Sequence, residues 1–294
     1  MLTPTRPRFA LVLGSGGVRS IAALGMADVL QREGLVPDLI VGCSAGALFG
    51  ALIAAGHRCD EAVHLAATLW SPEVTRKRRW NAVPRMLLPA LCRFDADFSL
   101  RDDSPIVARL TQVFGTARIE DLGVRLRIVA ADAASGDAVV LTRGNLVQAL
   151  RASIALPFMF APVPIEGRRL IDGFVADPLP VGAALDAQAI VALGFEAPMP
   201  RRIDGPSRLL AQITSAMTNN LMKARLAAAA AALHGPRLLS IIPTLERRVG
   251  LFDTKAMPYL VEAGRQAARD HLAEVHALVA GAPALAVVRN TAHS

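Results

Sequence analysis

Leu39-Ile40-Val41-Gly42-Cys43-Ser44-Ala45-Gly46-Ala47-Leu48-Phe49-Gly50-Ala51-Leu52-Ile53-Ala54-Ala55-Gly56 carries no charge over residues 39–56. Two folds compete for it. Eighteen uncharged residues touch the lower limit for a membrane-spanning helix. The stretch is also heterogeneous: β-branched Ile40 and Val41 start it, Gly42 and Gly46 bracket a turn, and an Ala/Leu-rich helix follows. A buried strand, a sharp turn and a buried helix account for every residue in it. That reading places Gly42-Cys43-Ser44-Ala45-Gly46, a G-x-S-x-G sequence, at a strand-to-helix turn. A nucleophilic serine needs such a turn, because its flanks must be small and a helix N-terminus then points at the reacting group. The pentapeptide alone is equally compatible with a tight turn holding an incidental serine.

Upstream, Phe9–Leu13 reads as a buried strand that runs into Gly14-Ser15-Gly16-Gly17-Val18-Arg19 and a helix over 18–33 stopped by Gly34. Glycines there let backbone N–H groups approach a ligand closely, as an oxyanion hole requires. The competing assignment is a dinucleotide-binding turn. Arg19 stands where its third glycine should be, and Asp38 precedes the second strand instead of ending it, so a nicotinamide cofactor is disfavoured.

Downstream, strands are expected at 39–41, 125–131, 138–142, 169–171, 189–193 and 238–242. Helices are expected at 44–55, 60–70, 104–114 (capped by Ser104), 145–152, 207–233 and 255–279. Strands alternating with helices predict an α/β fold with a mostly parallel central sheet. No repeat or linker divides the chain, so one domain over 1–294 is expected, with its core at about 8–280 and a tail from Gly281. The strand at 169–171 ends in Asp172-Gly173. By itself Asp172 reads as an ordinary turn aspartate, or as an acid placed to reach a cleft.

The 294 residues are 53% hydrophobic and 19% charged, which supports a substantial core, and the formal net charge is +7. A basic surface attracts nucleic acid or anionic lipid headgroups alike. Aromatic residues make up only 4% of the chain and no recognition module is visible, so nucleic acid is not expected. Cys43, Cys59 and Cys92 form no metal or disulfide pattern, and the apolar run after Arg8 is too short for a signal peptide. A cytoplasmic protein, peripherally membrane-associated at most, is expected. The basic run 76–79 with Trp80 and the apolar, proline-bounded segment to residue 93 suit an interfacial lid on an anionic membrane, or else a solvated loop. Of the six histidines, His57, His64, His234, His271, His276 and His293, none sits at a glycine-flanked strand end, so a Ser–His–acid triad has no evident histidine.

Four blocks together resemble the patatin-like phospholipases, most closely the bacterial stand-alone type. They are Ser15–Arg19, Gly42–Gly46, Arg151-Ala152-Ser153-Ile154-Ala155-Leu156-Pro157 with Pro162, and Asp172-Gly173 with Asp177-Pro178-Leu179-Pro180. The resemblance covers roughly residues 8–196. It implies a three-layer α/β fold and a lipid or other ester substrate cleaved without metal or organic cofactor through an acyl-serine intermediate. The implied dyad has Ser44 as nucleophile and Asp172 as base, with Gly16 and Gly17 N–H groups at the oxyanion and Arg19 holding the loop or assisting at an anionic substrate. The same dyad would serve a thioesterase or acyltransferase, and a non-catalytic lipid-binding scaffold could keep the motifs. Three positions depart from the family pattern: Ser20 replaces a glycine, Phe174 a small residue and Cys43 a common threonine. Ser20 and Phe174 are therefore expected to crowd the site or to reshape its acyl pocket.

Overall fold

The computed structural model describes residues 6–71, 95–233 and 237–281. The expected lid at 76–93, His234, His293 and the tail beyond Gly281 lie outside them.

The strands are β1 (Phe9–Leu13), β2 (Leu39–Cys43), β3 (Arg125–Asp132), β4 (Ala138–Leu141), β5 (Val163–Ile165), β6 (Arg168–Asp172), β7 (Ala189–Leu193) and β8 (Leu238–Ile241). The α-helices among the described residues are α1 (Ala22–Arg32), α2 (Ala45–Ala54), α3 (Cys59–Leu69), α4 (Ser104–Phe114), α5 (Leu146–Ser153), α6 (Pro206–Ala232), α7 (Met257–Asp270) and α8 (Leu272–Val279). Residues 39–56 form β2, a turn and α2, as the buried strand–turn–helix reading requires. No described helix is long and apolar enough to cross a membrane.

Five strands run parallel in the order β3-β2-β1-β7-β8, and β4, β5 and β6 extend the sheet antiparallel beyond β3. The sheet is therefore mixed, with the expected parallel pattern as its centre. β1, β2 and β7 are buried along their whole length, which is why they read as unbroken apolar runs. Their residues still alternate in space. Phe9, Leu11 and Leu13 face the larger core with α1–α5, α7 and α8, whereas Ala10 and Val12 face a smaller one closed by α6 and residues 181–187. Three layers result, helices on both sides of one sheet.

Local differences from the sequence expectations have physical causes. The helix after the glycine loop begins as a 3₁₀ turn, Gly17–Ile21, before α1, because the loop backbone is still held by contacts outside it. Ser104 is the first helical residue, not the cap, and Asp103 occupies the capping position. The expected long helix at 255–279 is broken at His271, whose Nδ1 lies 2.9 Å from the Ala267 carbonyl oxygen. The proline-rich passage contains β5, with Pro164 tolerated because β5 is an edge strand.

The register brings Ser44 and Asp172 together. β3 carries β4 on one edge from Ile128 to Ala131. Its other edge is shared: β2 pairs with it as far as Cys43↔Val129, and β6 continues from Asp172↔Ala130. Two strands running toward each other thus end against adjacent residues of β3. Ser44 follows one end and Asp172 is the other.

Candidate active site

Ser44 lies at the C-terminal ends of the parallel strands, where ligand crevices of open α/β sheets form. Its φ of 56° and ψ of −129° belong to a region that a non-glycine residue occupies at a cost of about 1–3 kcal/mol. The turn is closed so tightly that positions 42 and 46 admit no side chain. A Cβ on Gly42 would fall 2.4 Å from Ala47 Cα, and one on Gly46 would fall 2.4 Å from the Leu13 carbonyl oxygen. Ala45 opens α2, whose N-terminal dipole end therefore sits at Ser44.

The Ser44 Oγ–H donates to Asp172 Oδ2 at 2.6 Å. Asp172 is fully buried, and its other oxygen accepts the Phe174 N–H at 3.0 Å. Burial pushes the Asp172 carboxyl up to about 7, against the opposing pull of the Ser44 and Phe174 hydrogen bonds. Gly173 is required by the close passage of this strand end: a Cβ there would meet the Val129 carbonyl oxygen at 2.4 Å and Cys43 Sγ at 3.0 Å. The Cys43 thiol is wholly buried and held well above its ordinary value by that burial and by Asp172, so it packs as a neutral group.

The block at 151–157 explains itself structurally. Ser153 is fully buried; its Oγ–H donates to the Val129 carbonyl at 2.7 Å and its Oγ accepts the Ser44 N–H at 2.8 Å. Two residues on, the Ala155 carbonyl accepts the Asp172 N–H at 2.9 Å. One chain segment therefore holds the backbones of both Ser44 and Asp172. Arg151 anchors it to α4 through Asp103, at 2.7 Å.

The glycine loop faces Ser44 across a cavity. Gly17 has φ +59°, and Leu251 lies so close over it that a Cβ would stand 2.4 Å from Leu251 Cδ1. The Val18 N–H is engaged by the Leu251 carbonyl at 3.0 Å, which also accepts from Trp70 Nε1 at 3.2 Å. Val18 is thereby removed from the loop's free donors. Arg19 holds the loop: its Nε donates to the Gly16 carbonyl at 3.1 Å and its Nη1 to the Glu196 carbonyl at 2.6 Å. Its guanidinium also lies 5.9 Å from the centre of the Phe195 ring, and burial lowers its pKa. Ser20 turns beneath the loop and donates to the Gly14 carbonyl at 3.0 Å. It braces the glycine loop and lines no part of the cavity, contrary to the expected crowding. Phe174 does line it.

The cavity has a volume of about 560 Å³. Its inner part, between α2, α3, α4 and the segment that follows α5, is walled by buried Leu48, Leu69, Ile106, Leu110 and Phe160. Its outer part runs between Ala197-Pro198 and the first turns of α6, at Leu210, Thr214 and Thr218. Trp70, Leu251 and Phe252 close one side, with the Trp70 and Phe252 rings stacked 5.8 Å apart. The histidines among the described residues stay away: His57 pairs with Glu61 at 2.9 Å, and His64, His271 and His276 lie on or beside helices outside the cavity.

These features define an α/β protein with a serine on a strained strand–helix turn, hydrogen-bonded to a buried carboxyl at the base of an apolar cavity. The chain belongs to the patatin-like phospholipase family, whose family model matches residues 11–185. An NTE family protein of Mycobacterium tuberculosis is 36% identical over 191 residues, covering 64% of this chain and 49% of that protein. Another from the same organism is 30% identical over 281 residues, covering 88% of this chain and 45% of that protein. Neuropathy target esterase sws of Drosophila melanogaster is 31% identical over 187 residues, 62% of this chain and 12% of that protein. The chain spans about half the length of the two mycobacterial relatives. Among solved structures, VipD from Legionella pneumophila shares the fold, with a TM-score of 0.51 at 15% identity over 91% of this chain and 66% of that one.

Proposed function

We propose that this protein is a lipid acyl-hydrolase that cleaves carboxylic esters with Ser44 as nucleophile and Asp172 as its base. The observation that carries the reading is the 2.6 Å hydrogen bond from Ser44 Oγ to a fully buried carboxyl, made at the base of an apolar cavity. A carboxylate is ordinarily a weak base for a hydroxyl. Burial brings Asp172 to about 7, close to a working pH, which is where a general base is most effective.

In the first half-reaction Ser44 Oγ adds to the ester carbonyl carbon as its proton passes to Asp172 Oδ2. The carbonyl oxygen becomes an oxyanion, received by the Gly16 and Gly17 N–H groups beside the α2 N-terminus. The C–O bond to the alcohol then breaks and the Asp172 proton goes to the leaving oxygen. In the second half-reaction Asp172 takes a proton from water, the water oxygen adds to the acyl carbon, and the acid leaves as Ser44 recovers its proton. The apolar inner cavity takes the acyl chain.

A fluorophosphonate probe tests the assignment. Wild-type protein is expected to be modified at Ser44, as located by mass spectrometry, and Ser44→Ala to be unmodified. A folded wild-type protein that resists the probe, or is modified at another residue, refutes the reading.

A further inference from the structure

Helix α6 is built the wrong way round for a helix packed on a core. Of its 27 residues only Met222 and Ala229 are buried, seven apart and so on one face. Ile213 precedes Met222 by nine residues, roughly half a turn out of phase, so it points away from the core. Leu209, Ile213 and Met217 recur at intervals of four on that outward face, all exposed, with Met217 at 67%. Leu210, 64% exposed, stands at the edge of this stripe and also lines the outer cavity. Met199 and Ile203, just before the helix in sequence, are exposed as well. Contiguous apolar surface of this kind marks a partner or a membrane.

The charges around it select between these. From residue 197 to residue 222 the chain carries Arg201, Arg202 and Arg208 against the single acid Asp204. All three arginines are exposed, and Asp204 is paired to Arg208 at 3.1 Å. A second copy docked on this stripe would bring one basic rim against another, whereas an anionic lipid surface complements it. Resting on the acyl-hydrolase reading, we propose that the outward face of the first three turns of α6, Leu209, Ile213 and Met217, seats the protein on an anionic lipid surface. Leu210 then forms the threshold by which an acyl chain passes from that surface into the cavity.

Vesicle co-sedimentation tests the surface, using the full chain and vesicles of phosphatidylcholine with or without phosphatidylglycerol. The variant Leu209→Gln/Ile213→Gln/Met217→Gln spares the cavity lining, so its circular dichroism and its turnover of a dissolved short-chain ester should match wild type. Its binding to phosphatidylglycerol vesicles should fall roughly tenfold or more, and hydrolysis of vesicle lipid should fall with it. Arg201→Glu/Arg202→Glu should weaken binding to the anionic vesicles and leave binding to pure phosphatidylcholine as it was. Undiminished vesicle binding by the glutamine variant overturns the proposal. So does a wild-type dimer in sedimentation velocity that the variant abolishes. Binding is measured on Ser44→Ala protein as well, so that a failed hydrolase assignment leaves the docking result readable by itself.

Discussion

Asp172 sits where two opposing demands meet. The proposed role as base needs it ionised, and full burial raises its carboxyl to about 7. The acid limb of kcat/KM on a dissolved ester should therefore have its midpoint near pH 7, with activity rising as the pH rises through it. Stability should move the other way. A carboxyl whose folded-state value is raised contributes fully below its unfolded value near 4, and its contribution is lost as the pH rises through about 7. Asp177, buried and also raised to about 7 by desolvation against the pull of Arg225, adds to the same slope without touching the cavity. Asp172→Asn should cut turnover about a thousandfold and, at pH 8, raise the unfolding free energy by a few kcal/mol. Denaturant titrations at pH 5 and pH 8 check it, and a variant less stable than wild type at pH 8 contradicts the assignment of burial as the dominant cause. The sequence makes Ser44 legible because the steric demands of a sharp turn are written in Gly42 and Gly46. It does not make Ser153 legible as the residue that holds the Ser44 amide, since a buried hydroxyl bridging a carbonyl and an amide leaves no periodic or compositional mark.

At the scale of elements, α1 and α7 cross so closely that each meets the other's backbone through a glycine. A Cβ on Gly25 would lie 1.9 Å from the Val261 carbonyl oxygen, and one on Gly264 would lie 1.9 Å from the Ala22 carbonyl oxygen. Asp28 and Arg265 close the crossing with a 3.0 Å ion pair. In a free helix interior, Gly→Ala stabilises by about 1 kcal/mol. Here Gly264→Ala should do the reverse, lowering stability by about 2 kcal/mol or more, because two packed backbones must separate. Thermal unfolding of Gly264→Ala beside Gly205→Ala, where a Cβ meets nothing, measures the difference. Equal or raised stability in Gly264→Ala refutes the close crossing. Sequence patterning reads strands such as Ala189–Leu193 to the residue, since buried apolar runs bounded by turn residues have a direct physical cause. It misses β5, because prolines argue against a strand until the strand is known to lie at an edge. It also misses the break at His271, because the apolar periodicity of α7 continues into α8 with no glycine or proline between them.

For the whole molecule, the stretch that carries the family likeness and the stretch that can fold are different things. The family model ends at residue 185, yet β7 follows it and pairs along the full length of β1 at the centre of the sheet. β8 then pairs with β7, α7 covers α1, and Phe195 and Leu251 supply part of the cavity. A chain ending at Asp186 would keep every motif while exposing the inner edge of β1 and the buried faces of Phe9, Leu11 and Leu13. Net stabilities of natural domains are only about 5–15 kcal/mol, and removing a central strand with the helices on its flank exceeds that margin. The fragment 6–186 is therefore expected to lack the near-ultraviolet circular dichroism of the full chain, to bind a hydrophobic dye, and to leave Ser44 unreactive to fluorophosphonate. Ser44 and Asp172 are 128 positions apart, and their 2.6 Å contact depends on β2 and β6 ending side by side on β3. Nothing within residues 39–46 or 168–173 alone enforces that meeting. A fragment that unfolds cooperatively and reacts at Ser44 would show instead that β3 with its immediate neighbours suffices to hold the pair, and that the chain from Phe195 onward serves to complete the cavity.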